Sequence, residues 1–293
     1  MPELPEVEFA RRSLQRWFKG RTLVDAEAEP ANRVFRDADL KAFESLRGRL
    51  DSVERRGKYL MLAFSDGHGA VAHLGMTGKF LKRAGTAAEK WSRARLFLDS
   101  GDVIHFQDPR MFGRIEPMEV LQLKLAKAVA KLGIDPLVDG LTWQQLKTEV
   151  ADSKQDLKVA LMDQERIAGL GNIHAAEALF RARLHPSRKP KSLTDAEWKA
   201  LCKAIHASIA FALKAEDGDE IVYVEQPGAK NPFLIYGRAG TPCKRCRTKV
   251  VAFAQGGRTT HVCPKCPPKR GGCVLSRCSA ARLGPQADQR FSK

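Results

Sequence analysis

The chain has 293 residues, long enough for two domains with cores of their own. Its 50 Lys and Arg against 34 Asp and Glu leave +16, a balance that points to a polyanionic partner, nucleic acid before an acidic membrane surface. No apolar run approaches the roughly 20 residues of a membrane span and charge begins at Glu3, which argues against a membrane protein or a secretory signal and sets the expectation of a cytoplasmic, nucleoid-associated protein.

The N-terminus reads Met1-Pro2-Glu3-Leu4-Pro5-Glu6-Val7-Glu8. Apolar residues at Val7, Ala10, Leu14, Trp17 and Phe18 predict an amphipathic helix over 5–19, with Gly20 as its stop and Glu6 and Glu8 suited to the helix dipole. Short strands are then predicted at 51–55, 59–64, 71–73, 80–83, 95–98, 103–106 and 114–118, a spacing that suggests a β-sandwich or flattened barrel. Residues 119–132 and most of the chain to 215 read as helix, with a domain boundary near 120–140. Helical periodicity at 157–162 and 173–180 flanks Ile167-Ala168-Gly169-Leu170-Gly171-Asn172. Two tight glycine turns are expected there, with Asn172 as the N-cap of the following helix. Thr194-Asp195-Ala196-Glu197 forms a capping box for a third helix running to about Leu213.

The clearest chemical signal is Cys243-Lys244-Arg245-Cys246 and, sixteen residues on, Cys263-Pro264-Lys265-Cys266. Four thiolates at this spacing suit one tetrahedral, structural Zn2+. Between the pairs, 249–255 and 258–262 read as a hairpin turned at Gly256-Gly257, with Arg258 at its tip. Cys273 and Cys278 lie in a basic tail and Cys202 in an apolar helical stripe.

Once Met1 is removed, Pro2 carries a secondary α-amine that titrates well below a lysine and can attack a sugar carbon to form an iminium. Glu3 is then a carboxyl beside the same carbon. The Gly169–Asn172 turn offers a helix N-terminus that attracts phosphate, with Lys158 as a second contact. Arg55-Arg56-Gly57-Lys58 reads by itself as a solvated charged edge. His73-Leu74-Gly75-Met76-Thr77-Gly78 and Asp108-Pro109-Arg110-Met111-Phe112-Gly113 are bounded turns with bulky tips. Met76, Arg110 and Phe112 are side-chain types that wedge into a duplex and fill the gap left by an extracted base.

In order, Pro2–Glu8, Arg56-Gly57-Lys58-Tyr59, these two turns, Gly169-Leu170-Gly171-Asn172-Ile173 and the finger with Gln255-Gly256-Gly257-Arg258-Thr259 resemble the bacterial formamidopyrimidine-DNA glycosylases, over residues 2 to about 266. The opening and the 73–78 turn are more similar to the purine-lesion branch than to the endonuclease VIII branch. The resemblance implies an α+β, two-domain fold: an N-terminal helix plus β-sandwich (2–125), a helix-two-turn-helix bundle (135–225) and a zinc finger (236–268); residues 269–293, more than the family needs, read from composition as a basic, disordered tail. It implies a bifunctional glycosylase and apurinic/apyrimidinic lyase acting on damaged double-stranded DNA; with no surplus apolar stripe to ask for a partner, a monomer is expected. Pro2 would attack C1′, Glu3 would shuttle protons, Lys58, Asn172 and Arg258 would grip phosphates, and Lys158 would be another backbone-contacting position. Met76, Arg110 and Phe112 would occupy the gap, Arg110 facing the orphaned cytosine.

The chain departs from the family at Ala176, where an acid is usual and where its loss is expected to weaken a packing or capping contact. It departs again at 214–236, where a Gly-Gly-Thr-Thr stretch is replaced by Asp217-Gly218-Asp219-Glu220. Those three acids are expected to point away from DNA. An altered lesion range (oxidised pyrimidines, hydantoins) and a catalytically silent zinc-finger DNA-binding protein are the alternatives.

Overall fold

The computed structural model describes residues 2–30, 33–36, 38, 40–85, 89–215, 218, 220–224, 226 and 228–267. Met1, Asp217, Asp219 and the tail with Cys273 and Cys278 lie outside the described residues.

Helix α1, Leu4–Phe18, forms as its periodicity requires and ends before Gly20, whose φ of +69° closes the turn. Its apolar face serves two cores. Leu4 packs with the C-terminal helices, whereas Val7, Ala10, Leu14, Trp17 and Phe18 pack on the strands. The strands are β1 Thr22–Ala28, β2 Gly48–Arg56, β3 Tyr59–Phe64, β4 His68–His73, β5 Lys79–Ala84, β6 Ser92–Leu98, β7 Asp102–Gln107 and β8 Arg114–Glu119, with a short helix α2, Leu40–Glu44, between β1 and β2. Two antiparallel layers, β5-β7-β6-β1 and β2-β3-β4-β8, meet at a short β1–β2 seam, Thr22 opposite Arg49 and Leu23 opposite Gly48. Leu60, Leu62, Phe64, Phe80, Ile104 and Phe106 fill the space between them. Every strand expected from the sequence is present. Strand β1 was missed because a register shift between Leu23 and Asp25 breaks its alternation, so that Asp25 and Glu27 fall where the period set by Leu23 calls for apolar residues.

The continuous helix expected over 119–132 is broken. Val120–Leu125 is a 3-10 turn and α3 is only Lys127–Ala130. Leu121 and Leu125 stay exposed there, so no apolar stripe pays for a regular helix. The C-terminal half comprises α4 Trp143–Val150, α5 Leu157–Leu161, α6 Asn172–Ala182 and α7 Asp195–Ala215. The Thr194–Glu197 capping box forms as expected. Cys202 is buried in this core, its thiol donating to the Leu141 carbonyl.

Arg55 is no part of a solvated edge. Its side chain is fully buried and pairs with Glu8 of α1 and with Asp135. Asp135 also accepts the Gly57 N–H at 2.7 Å, and Arg56 pairs with Asp139. The cation run therefore fastens the sandwich to the segment entering the helical half. Arg55 donates four hydrogen bonds, three of them to the Glu8 and Asp135 carboxylates, and these offset its desolvation.

Candidate active site and nucleic-acid interface

Pro2 is buried, and Glu3, 1% exposed, is the N-cap of α1. Glu3 and Glu6 form a reciprocal capping box, the Glu3 N–H donating to the Glu6 carboxylate at 2.8 Å. The Glu3 carboxylate also crosses to the other half of the molecule. It accepts the N–H groups of Gly171 (2.9 Å), Ile173 (2.7 Å) and His174 (3.1 Å), while the Leu4 N–H donates to the Gly169 carbonyl at 3.0 Å. Two expectations change as a result. Asn172 is the first residue of α6, Gly171 its N-cap, and the positive helix end is taken by Glu3 rather than left to phosphate. Gly171 is glycine because a Cβ there would lie 2.5 Å from Glu3 Oε1 and 2.8 Å from Lys58 Nζ.

That spacing brings Lys58, delivered by the β2–β3 turn, against Glu3. Burial lowers the Lys58 pKa, and Arg258 adds to this, against the raising influence of Glu3 and Glu6. Burial raises that of Glu6. Glu6, Ile173, Phe211, Val222, Tyr223 and Phe233 line a cavity of about 250 Å³ beside this group. Its outer wall is the departing loop. Glu220 is held by Lys79 and Arg83 of β5, so its charge is neutralised and not merely turned away. Ile221 and Tyr223 are buried in the sandwich core, and the Tyr223 hydroxyl donates to the Gly78 carbonyl at 2.6 Å.

The two bulky turns are joined to each other. Buried Asp108 accepts from Thr77 Oγ1 (2.6 Å) and the Gly113 N–H (2.7 Å). At Gly75 a Cβ would run into the Phe112 carbonyl carbon. Met76 is half-buried, whereas Phe112 is 49% exposed and the Arg110 guanidinium lies 4.9 Å from its ring centre.

Asn172 and Lys158 meet the finger. Lys158 is 0% exposed, its ammonium donating to Asn172 Oδ1 and to Thr260 Oγ1, and burial pushes its pKa down to about 8. The Asn172 amide donates to the Thr259 carbonyl at 3.0 Å. Lys158 is thus enclosed between helix and finger, with Asn172 at its edge. The hairpin is β9 Val251–Gln255 and β10 Arg258–Val262, turned at Gly256 and Gly257 with φ +55° and +70°, and Arg258 is exposed at the tip. At the base, Cys243, Cys246, Cys263 and Cys266 place their sulfurs within 4.8 Å of one another. The Cys243–Cys266 and Cys246–Cys263 separations are 3.7 and 3.4 Å, near the roughly 3.8 Å edge of a tetrahedron with ~2.3 Å zinc–sulfur bonds. The donors fit one structural zinc.

Three family models match this chain: the formamidopyrimidine-DNA glycosylase N-terminal domain at 1–115, that enzyme's H2TH domain at 132–222, and a zinc finger found in FPG and IleRS at 240–267. The chain belongs to the formamidopyrimidine-DNA glycosylase family. It is 36% identical over 272 residues to the formamidopyrimidine-DNA glycosylase of Desulfitobacterium hafniense, covering 91% of this chain and 99% of the relative. With that of Bacillus cereus it shares 34% over 276 residues, covering 92% and 100%. The MutM (Fpg) protein of Thermus thermophilus has a TM-score of 0.76 at 35% identity, over 90% of this chain and 98% of that one. MutM in complex with carbocyclic 8-oxo-G containing DNA gives 0.80 at 28%, over 92% and 100%. Wild-type Lactococcus lactis Fpg in complex with an oxidized pyrimidine containing DNA gives 0.81 at 27%, over 92% and 100%. The mixed α+β fold, with sandwich, helix-two-turn-helix region and zinc finger, is that of the family. No helix among the described residues is long and apolar enough to cross a membrane.

Several members of the site escaped the sequence reading. Glu177 is fully buried and accepts the N–H groups of Leu234, Ile235 and Tyr236, tying α6 to the segment that enters the finger. Its signal was an acid inside an apolar helix stretch. Ala176 is buried in a cluster with Phe180, Ile235, Cys243 and Val250, where a carboxylate would need a partner. From the sequence Glu6 carries only a helix-dipole role, and Asp108 carries none.

Proposed function

We propose that this chain is a bifunctional DNA glycosylase and apurinic/apyrimidinic lyase that excises oxidised purines, 8-oxoguanine and formamidopyrimidines, from double-stranded DNA. The observation that carries this reading is the convergence of Glu3 and Lys58 on Gly171, with Pro2 the residue before Glu3. The Pro2 nitrogen is an amine only once Met1 is gone; its lone pair then forms a bond to C1′ as the glycosidic bond breaks and the base leaves with a proton. Opening of the sugar ring gives an iminium. Loss of a C2′ proton then breaks the C3′–oxygen bond, a second elimination breaks the C5′–oxygen bond, and hydrolysis returns the amine. Glu3, and Lys58 with its burial-weakened hold on its proton, are the groups at hand for these transfers. The cavity beside Glu6 would receive the everted base, while Arg110, Phe112 and Met76 would fill the gap and Lys58, Asn172 and Arg258 would hold phosphates. Lys158 would act through Asn172. The enzyme would work as a monomer on duplex DNA, which would hold it at the nucleoid, with residues 2–125, 135–225 and 236–268 as its domains.

Pro2→Gly separates catalysis from binding: base excision should be lost while affinity for a lesion-bearing duplex persists. Excision that survives this change would refute the nucleophile, and a wild-type protein that binds duplex and excises nothing would be a silent DNA-binding module. Glu3→Gln is a less clean probe because Glu3 also caps α6.

One observation favours a shifted lesion range. The cavity wall at 220–224 presents Val222 and Tyr223, strapped to the sandwich by Tyr223–Gly78 and Glu220–Lys79. Comparing excision of 8-oxoguanine, formamidopyrimidine, an oxidised pyrimidine and a hydantoin, each in an otherwise identical duplex, ranks the two readings. A pyrimidine or hydantoin processed faster than 8-oxoguanine would establish the shifted range.

A further inference from the structure

We propose that Trp91 is a further DNA-contacting residue, its indole packing on a nucleotide of the strand opposite the lesion, beside Arg110. This rests on the reading of the 108–113 turn as the element that enters the duplex. Trp91 precedes β6 and is 44% exposed. The other three tryptophans are Trp17 and Trp198, 8% and 1% exposed, and half-buried Trp143.

The backbone at Trp91 is strained. Its φ is +65°, a conformation that glycine or asparagine adopts with least cost and a bulky aromatic seldom does. A plain turn would not call for tryptophan here. The kink is locked from both sides: the Ser92 N–H donates to the Glu89 carbonyl at 3.0 Å, and the β6–β7 register slips between Ser92 and Ala94.

The lock leads to the wedge. The Trp91 carbonyl accepts the Asp108 N–H at 2.9 Å, and the Asp108 side chain holds the turn that displays Arg110 and Phe112. Arg93 reaches under the same point, donating to the Asp108 carbonyl at 3.0 Å. Exposed Lys90 lies by the ring, its Nζ 5.1 Å from the centre, whereas the Arg93 guanidinium at 5.7 Å is buried and paired with Glu29. A part-exposed aromatic with a solvent-accessible Lys beside it is the pairing on which a nucleotide stacks while its phosphate is neutralised.

Trp91 is the most exposed of the four tryptophans, so a change in emission that Trp91→Phe abolishes reports on it. The purified protein is titrated with a fluorescein-labelled duplex carrying a tetrahydrofuran abasic analogue opposite cytosine, which it can bind but not cleave. Anisotropy of the label reads binding, and the same titration with unlabelled duplex reads tryptophan emission. Quenching that is present in wild type and absent in Trp91→Phe is expected. Trp91→Ala should raise Kd between roughly 5- and 160-fold, the range of one lost base–aromatic stack, and Trp91→Phe by less. If anisotropy shows binding while wild-type emission stays unchanged, Trp91 does not touch DNA and the proposal falls, whatever Trp91→Ala does to affinity. If wild type gives no anisotropy change at all, the DNA reading itself fails, and with it the contact.

Discussion

The Glu3 carboxylate accepts the Gly171 N–H at 2.9 Å across 168 residues of chain. This joins the end of the chain that carries Pro2 to the helix that carries Asn172, so the proposed nucleophile and the phosphate grip share one rigid unit. Gly171 permits the approach. Gly171→Ala puts a methyl 2.5 Å from Glu3 Oε1 and 2.8 Å from Lys58 Nζ and must move one of them. Base excision should fall on the order of 100-fold, as for an ångström-scale misplacement, with zinc content and folding cooperativity kept. Excision within threefold of wild type would show that this proximity is not used.

A second prediction concerns acid. His73 Nδ1 accepts the Gly75 N–H at 3.0 Å; burial first, then Lys58 and Arg36, push its pKa down to about 4, below the ordinary 6.5. Between these values the unfolded chain binds more protons than the folded one. Stability is therefore complete above about pH 6.5 and declines as pH falls towards 4, by at most about 1.4 kcal/mol per unit from this group. His73→Asn keeps an acceptor without the titration. Urea unfolding of both proteins from pH 4 to 7 should show a shallower acid decline for the variant. Parallel declines would contradict the assignment.

A third follows from the buried Arg55 between Glu8 and Asp135. Asp135→Asn leaves the guanidinium short of a charge and should cost about 3–5 kcal/mol in urea unfolding. A loss below about 1 kcal/mol would mean the pair is not needed to hold the sandwich to the helical half.

The finger supplies the fourth. Its core is small, with Ile235, Val250, Cys243 and Cys263 packed on Phe180, so the hairpin depends on the metal. Chelation should unfold it and weaken duplex binding while the helices of the rest persist by circular dichroism. Arg258→Ala should lower the salt dependence of binding by about one counterion, equally for every sequence. An unchanged slope would remove Arg258 from the backbone contacts.

Much of this was legible in the sequence. The cysteine spacing, the β-period runs and the capping box at Thr194 are local signals, and the structure reproduces them. What stayed hidden depends on partners far apart in the chain. Arg55 reads as a surface cation until Asp135, 80 residues on, closes over it. Asn172 reads as an N-cap until Glu3 takes the helix end. Lys158 reads as a free cation until Thr260 covers it. Strand β1 failed for the opposite reason, its acidic residues masking the local pattern.

The most direct measurement is borohydride trapping on a duplex with one 8-oxoguanine opposite cytosine, with mass spectrometry of the N-terminal peptide. The account predicts a protein lacking Met1 and a reduced sugar adduct on Pro2. An adduct on a lysine instead, or none on lesion and abasic duplexes alike with Met1 absent, would contradict it.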